Sequence, residues 1–146
     1  MSNVRPVKSP SELTEAFRAN GLKVTPQRQL LFRLMHGNTM HPTAEALFSD
    51  ASTQMPGISL RTVYQTLTDL ASMGELRLID VGAGAVRFDP NVDDHHHVVC
   101  STCGVVHDVY VNQTPLQFEG DVEGFAVHST RIVFSGECAQ CAHLSA

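Results

Sequence analysis

Ser59-Leu60-Arg61-Thr62-Val63-Tyr64-Gln65-Thr66-Leu67-Thr68-Asp69-Leu70-Ala71-Ser72-Met73-Gly74 is followed, after Glu75, by Leu76-Arg77-Leu78-Ile79, Gly82-Ala83-Gly84 and Val86-Arg87-Phe88. Val63, Leu67, Leu70 and Ala71 recur at helical spacing, so a helix is expected from Ser59 to its stop at Gly74. The two short apolar runs around the glycine pair predict a β-hairpin. A helix feeding a hairpin is the second half of a winged helix-turn-helix, with this helix in the recognition position.

The residues before Ser59 fit that reading. Ser9-Pro10-Ser11-Glu12 carries a capping serine, proline at the first helical position and glutamate at the third. Leu13, Ala16 and Phe17 form the stripe of this first helix, and Gly21 suits its C-terminal end. Thr25-Pro26 starts a second helix that buries Leu30, Leu31, Leu34 and Met35 and stops at Gly37. A third runs from about Thr43 through Leu47, Phe48 and Ala51.

On the helix from Ser59, Arg61, Thr62, Tyr64, Gln65 and Thr68 point away from the apolar stripe. These side-chain types reach base edges and phosphates, with arginine suited to guanine and glutamine to adenine. An ordinary solvated helix face is the competing reading. The hairpin and the charge of the segment favour DNA. Lys23 and Arg28, near the start of the second helix, are placed to hold phosphate or enter a minor groove.

Charge divides the chain. Residues 1–87 hold nine Lys and Arg against seven Asp and Glu, whereas residues 88–146 hold Arg131 alone against eight acids. Six of the eight histidines also fall in the second part. A net charge of −5 makes nonspecific binding to nucleic acid unfavourable, so any DNA contact must be local and specific. The acidic part would repel itself without cations, and bound metal is the simplest source of them.

Cys100-Ser101-Thr102-Cys103 and Cys138-Ala139-Gln140-Cys141 use every cysteine of the chain. Two such pairs far apart in sequence suit a closed tetrahedral zinc site, and Gly104 supplies the permissive backbone of a tight knuckle. Disulfides fit poorly, because no signal peptide or long apolar run routes the chain out of the cytosol; a cytoplasmic protein with no membrane segment is expected. A redox pair would stand at the start of a helix near a βαβ pattern, and neither pair reads that way.

The C-terminal part reads as β-rich. His96–Val99 and 105–111 flank the first knuckle as a hairpin. Phe125-Ala126-Val127 and Arg131-Ile132-Val133-Phe134 continue the sheet, and a short capped helix opens at Thr114-Pro115. So small a segment needs zinc, and a second subunit, to complete its core. The fold class is therefore α+β: an N-terminal winged helix-turn-helix at 1–88, and a small C-terminal α/β dimerisation domain at 89–146 with a four-cysteine zinc site.

His95, His96 and His97 enter a strand, whose alternation puts His95 and His97 on one face and His96 on the other. Asp89 lies shortly before them, and Asp108 lies on the paired strand. Mixed nitrogen and carboxylate ligands without sulfur favour Fe(II) or Mn(II) over zinc.

In these stretches the chain resembles the ferric uptake regulator family of bacterial metal-dependent repressors, most closely its peroxide-sensing branch. The matching residues are Gly21-Leu22-Lys23-Val24-Thr25-Pro26-Gln27-Arg28, Met40-His41-Pro42-Thr43-Ala44-Glu45, Ile58-Ser59-Leu60-Arg61-Thr62-Val63-Tyr64, Arg87-Phe88-Asp89, Asp94 through Gly104, and Gly136 through Cys141. The resemblance covers essentially everything after Ser9. It implies a regulatory site of His41, Asp89, His95, His97 and Asp108, and a homodimer on a palindromic double-stranded DNA operator. Tyr64 would be the base-contacting tyrosine and Lys23 the minor-groove lysine. Asp at 108, where iron-sensing relatives more often have Glu, leans toward peroxide sensing by Fe(II)-catalysed oxidation of His41 or His95. Many relatives have a further metal site with a histidine where Thr130 stands here. His128 is displaced by two residues, so a third site of Asp94, His96 and His128 is left unassigned.

Filling the regulatory site would tie two domains together and fix the spacing of two recognition helices, which makes the metal a corepressor. An iron, manganese or zinc uptake regulator without peroxide sensing is the nearest alternative. A metalloenzyme is the rival of another class, but no substrate pocket or acid-base pair is legible beyond the ligands, and the helix-turn-helix would go unexplained. A zinc store is disfavoured because the four-cysteine site is closed.

Overall fold

Ser9, Thr25, Thr43 and Ser59 each accept a hydrogen bond from the backbone N–H three residues on, and each starts a helix. The helices are α1 (Pro10–Ala19), α2 (Pro26–Met35), α3 (Ala44–Gln54) and α4 (Leu60–Ser72). At α1 the box is complete, because the Glu12 carboxylate also accepts from the Ser9 backbone N–H. The computed structural model describes residues 7–82, 84–112, 116, 119–120 and 122–145. The chain forms two units, one running to Asp93 and the other beginning at Asp94, a little beyond the boundary expected at 88 and 89.

In the first unit the stripes of the four helices meet in one core. Phe17, Leu31, Phe32, Leu47, Val63, Leu67 and Leu70 are fully buried. Each such side chain contributes roughly 1.5–3 kcal/mol relative to an exposed one. Phe17 and Phe32 meet edge to face with centroids 4.8 Å apart. Gly74 ends α4 at φ +76°, a left-handed conformation that costs glycine little, and Glu75 N donates to the Leu70 carbonyl across it.

The wing follows: β1 (Arg77–Ile79) pairs antiparallel with β2 (Arg87–Asp89), Leu78 opposite Phe88. A further bridge joins Thr43 to Arg87, and Phe88 N donates to the Pro42 carbonyl at 2.9 Å. The segment leading into α3 is thereby laced to the strand that ends in Asp89.

The second unit is a three-stranded sheet in the order β4-β3-β5, from β3 (His96–Cys100), β4 (Val106–Val109) and β5 (Val133–Gly136), followed by α5 (Ala139–Ser145). β3 and β4 form the expected hairpin around the first knuckle. Two expectations are corrected here. Phe125–Val127 forms no strand, and the last strand begins at Val133 and pairs parallel to β3 rather than continuing a meander. A parallel neighbour requires a crossover, and the long stretch after β4 supplies it. Of the helix expected over 114–119 only Leu116 and Glu119 are described, neither of them helical; the rest lies outside the described residues.

Candidate metal centres and nucleic-acid interface

The four sulfurs of Cys100, Cys103, Cys138 and Cys141 lie within 4.8 Å of one another. β3 and β5 bring them together, since Cys100 stands opposite Gly136 in the parallel register and Ser101 N donates to the Gly136 carbonyl at 2.8 Å. Cys103 Sγ and Cys138 Sγ are 3.8 Å apart. Tetrahedral Zn–S bonds of about 2.3 Å place sulfurs about 3.8 Å apart, so the donor set fits zinc. The four thiols are free of disulfides.

Backbone N–H groups aim at these sulfurs: Cys103 N and Cys138 N each donate to Cys100 Sγ at 3.4 Å, and Cys141 N donates to Cys138 Sγ at 3.4 Å. The bond from Cys103, followed by that from Cys138, holds the Cys100 thiol down at about 6. Cys141 is pushed up to about 12, first by its hydrogen bond with Cys138 and then by burial. Four sulfurs this close cannot all ionise without a cation among them, which is the electrostatic signature of a metal knuckle. The second pair does stand at the start of a helix, α5, contrary to the sequence reading. Its closeness to Cys100 and Cys103, rather than the lack of a helix, is what separates it from a redox pair.

In the first unit, His41 Nε2 lies 3.2 Å from Asp89 Oδ2, both side chains being 2 % exposed. His41 has φ +51°, in the left-handed region, where histidine is tolerated better than most side chains. Arg87 holds it there, its Nη1 donating to the His41 carbonyl at 2.9 Å. In the second unit, Asp108 Oδ1 lies 3.2 Å from His95 Nε2 and 3.3 Å from His97 Nε2. Asp108 is the direct cross-strand neighbour of His97, and the two imidazoles meet edge to face at 4.6 Å. His96 turns to the other side, and its Nδ1 accepts from Ile132 N at 2.9 Å. It anchors β5 there. His128 is exposed.

Along α4, Arg61, Tyr64, Gln65 and Thr68 are exposed, and Thr62 is half-buried with its hydroxyl 3.0 Å from that of Ser59. Lys23 is exposed. Arg28 is half-buried: it donates to the Lys23 carbonyl at 2.5 Å, lies 3.9 Å from Asp69, and covers the Phe17 ring at 5.6 Å. Gln65 donates to Asp69 at 3.1 Å. Three residues that the sequence reading did not single out thus shape the sites. Glu45 accepts from the Tyr64 hydroxyl, Arg87 fixes His41, and Asp69 holds Arg28 and Gln65. No spacing rule joins Glu45 to Tyr64 or Arg87 to His41, because each pair meets only through packing of separate elements.

No helix among the described residues is long and apolar enough to cross a membrane. The chain is 31% identical over 132 residues to the peroxide-responsive repressor PerR of Staphylococcus epidermidis, covering 89% of this chain and 88% of that one. It is 30% identical to the PerR of Staphylococcus aureus over 89% of both chains. Its fold matches the Helicobacter pylori ferric uptake regulator with a TM-score of 0.71 at 18% identity, over 97% of each chain. The model of the ferric uptake regulator family matches residues 19–135, so with its winged helix and clustered cysteines this chain belongs to that family of metal-responsive transcriptional regulators, which are not enzymes.

Proposed function

We propose that this protein is a metal-dependent repressor of the cytoplasm, dimeric on a palindromic DNA operator, that senses peroxide through oxidation of a ligating histidine. His41 and Asp89 from the first unit, with His95, His97 and Asp108 from the second, would hold Fe(II) or Mn(II), and the four cysteines would hold zinc. The observation carrying this reading is the pair of half-sites: a buried His41–Asp89 couple beside the helix-turn-helix, and two histidines on Asp108 in the sheet. Each half offers only nitrogen and carboxylate donors, which suit Fe(II) and Mn(II).

One cation needing both halves prefers whichever arrangement brings them together, and its differential affinity sets how far the population moves. The spacing of two recognition helices in a dimer must match the half-sites of an operator, so metal occupancy translates into DNA affinity. When bound, Fe(II) would supply activation of peroxide next to these ligands. The imidazole of His41 or His95 would be the group oxidised: it would take one oxygen atom of peroxide in a two-electron change while the other oxygen leaves as water, so the balance consumes no electron from the metal. The altered ring ligates poorly and the closed form loses its support. Similarity to peroxide-responsive repressors at about 30% identity favours this signal over metal availability alone.

The test is operator binding by protein loaded anaerobically with Fe(II) or Mn(II), before and after peroxide. Metal-dependent binding lost only by the iron form supports the proposal. Binding that is metal-dependent but indifferent to peroxide reduces it to a metal sensor, and binding that ignores metal removes it.

A further inference from the structure

Tyr64 on α4 and Glu45 in the first turn of α3 are both exposed, and the Tyr64 hydroxyl donates to Glu45 Oε1 at 2.5 Å. The bond leaves a clear mark on both groups. The Tyr64 hydrogen bond, followed by Glu45's own backbone N–H, holds the Glu45 carboxyl below its ordinary range, and the same bond to Glu45 raises the Tyr64 phenol. A phenol has one proton to donate and lone pairs that accept. With that proton committed to Glu45, the outward side of Tyr64 is an acceptor, and the ionised Glu45 beside it is an acceptor as well.

We infer that Glu45 is a specificity-determining residue, which fixes the hydrogen-bond polarity of Tyr64 so that the pair reads a donor edge in the major groove. This rests on the reading of α4 as the DNA-recognition helix. Cytosine offers N4–H and adenine N6–H as donors, whereas guanine presents only the acceptors N7 and O6 there. Two acceptors facing guanine lose hydrogen bonds on both sides, so the base beneath Tyr64 is cytosine or adenine in preference to guanine. A tyrosine without this partner could turn its hydroxyl to donate and would tolerate either edge. Glu45 also places negative charge at the start of α3, which turns this corner of the surface away from phosphate and toward the groove.

The experiment uses the full chain loaded with Mn(II), and duplexes selected by that protein from a random library, each position then varied singly. Tyr64→Phe identifies the position that Tyr64 reads, as the one whose preference it erases. At that position Glu45→Gln should raise binding of the guanine duplex relative to the cytosine or adenine duplex by roughly fivefold, the worth of one hydrogen bond. Glu45→Asp, which keeps the charge but shortens the reach, should give the same relaxation. In the Tyr64→Phe background Glu45→Gln should change no ratio. Reading ratios cancels the uniform gain in affinity from removing a charge, and zinc content checks that each variant is folded. If Glu45→Gln leaves the guanine ratio intact while Tyr64→Phe erases it, the inference is wrong and α4 remains the reader. If Glu45→Gln alters ratios equally in the Tyr64→Phe background, Glu45 reads DNA by itself and the inference is wrong in that way. If Tyr64→Phe and Arg61→Ala both leave every duplex unaffected, α4 does not read DNA and the inference falls with that reading.

Discussion

His41 Nε2 lies 3.2 Å from Asp89 Oδ2, although one residue precedes α3 and the other ends the wing. The contact is built by the chain around it: the Arg87 guanidinium donates to the His41 carbonyl, the Phe88 N–H donates to the Pro42 carbonyl, and Thr43 bridges to Arg87. Three links over three residues set the distance, so the two donors are in place before any cation arrives. Preorganisation of this kind lowers the cost of binding.

Removing either donor should therefore weaken Mn(II) binding strongly. Loss of a residue that merely orients a ligand costs about 10–100-fold in metal affinity, so His41→Ala or Asp89→Ala should cost roughly a hundredfold or more. Zinc content should stay at one per chain, because the cysteines belong to the other unit. Titration of Mn(II) by calorimetry, with zinc measured on the same samples, checks both. Undiminished Mn(II) affinity in the two variants would falsify their place in the regulatory site.

Lys23 and Arg28 should behave differently despite their closeness in sequence. Arg28 is half-buried and spends its guanidinium on Lys23, Asp69 and Phe17. Arg28→Ala should lower thermal stability by about 1–3 kcal/mol, from one charge-assisted hydrogen bond and a cation–π contact. Lys23→Ala should leave the melting temperature unchanged and reduce the salt dependence of operator binding by about one ion. The reverse pattern would make Arg28 the phosphate contact and Lys23 a bystander.

The four helix starts were legible because each rests on a local rule: a capping Ser or Thr at every start, joined by a proline inside α1 and α2 and by a glycine after α1, α2 and α4. The winged architecture followed from the order of those elements. The zinc cysteines were legible for a similar reason, since two knuckles carry their own spacing. The parallel pairing of β5 was not, because parallel register depends on contacts made across a long crossover, and the alternation of Phe125–Val127 resembles that of a strand. α5 was hidden because its seven residues overlap the second knuckle. The contacts of Arg28 were not legible for a physical reason: a basic residue near a helix start looks the same in sequence whether its charge faces solvent or an internal carbonyl.

Zinc should prove a structural member of the second unit. Its three short strands enclose few buried apolar side chains, with Val99 and Val106 at the centre among the described residues. Cys100→Ser or Cys138→Ser should release the metal and dissociate the proposed dimer, since three thiolates leave the site open. Sedimentation and zinc analysis read the outcome. Dimers of either variant that retain one zinc per chain would show that the cysteines do not form a closed site.

Tyr64→Ala and Arg61→Ala should each weaken operator binding by roughly tenfold or more, since base-edge contacts are worth about 1–3 kcal/mol. Both side chains are exposed on α4 and neither packs into the core. Melting temperature, zinc and Mn(II) affinity should be unaffected. An equal loss of affinity for operator and random DNA would mean that the two residues hold phosphate rather than read bases.

In the proposed mechanism Asp108 sets the nature of the signal. Its Oδ1 stands within 3.3 Å of both His95 and His97, so a single short carboxylate serves two imidazoles across the β3–β4 pair. Aspartate reaches less far than glutamate by one methylene, and that difference changes how tightly the donors close around a cation and how much of it peroxide can approach. The Fe(II)-loaded protein should lose operator affinity on brief exposure to low peroxide, and the Mn(II)-loaded protein should keep it. Mass spectrometry should find one added oxygen on the peptide bearing His41 or the one bearing His95, before the four cysteines are oxidised. His95 is fully buried beside its carboxylate, so an oxidant made in solution would reach it late and one made at the site would reach it first. Asp108→Glu should preserve metal-dependent DNA binding and respond less to peroxide, which separates the geometry of the carboxylate from its mere presence. An iron-loaded protein that stays on DNA after peroxide, with both histidines unmodified, would leave Asp108 as a ligand in a sensor of metal alone.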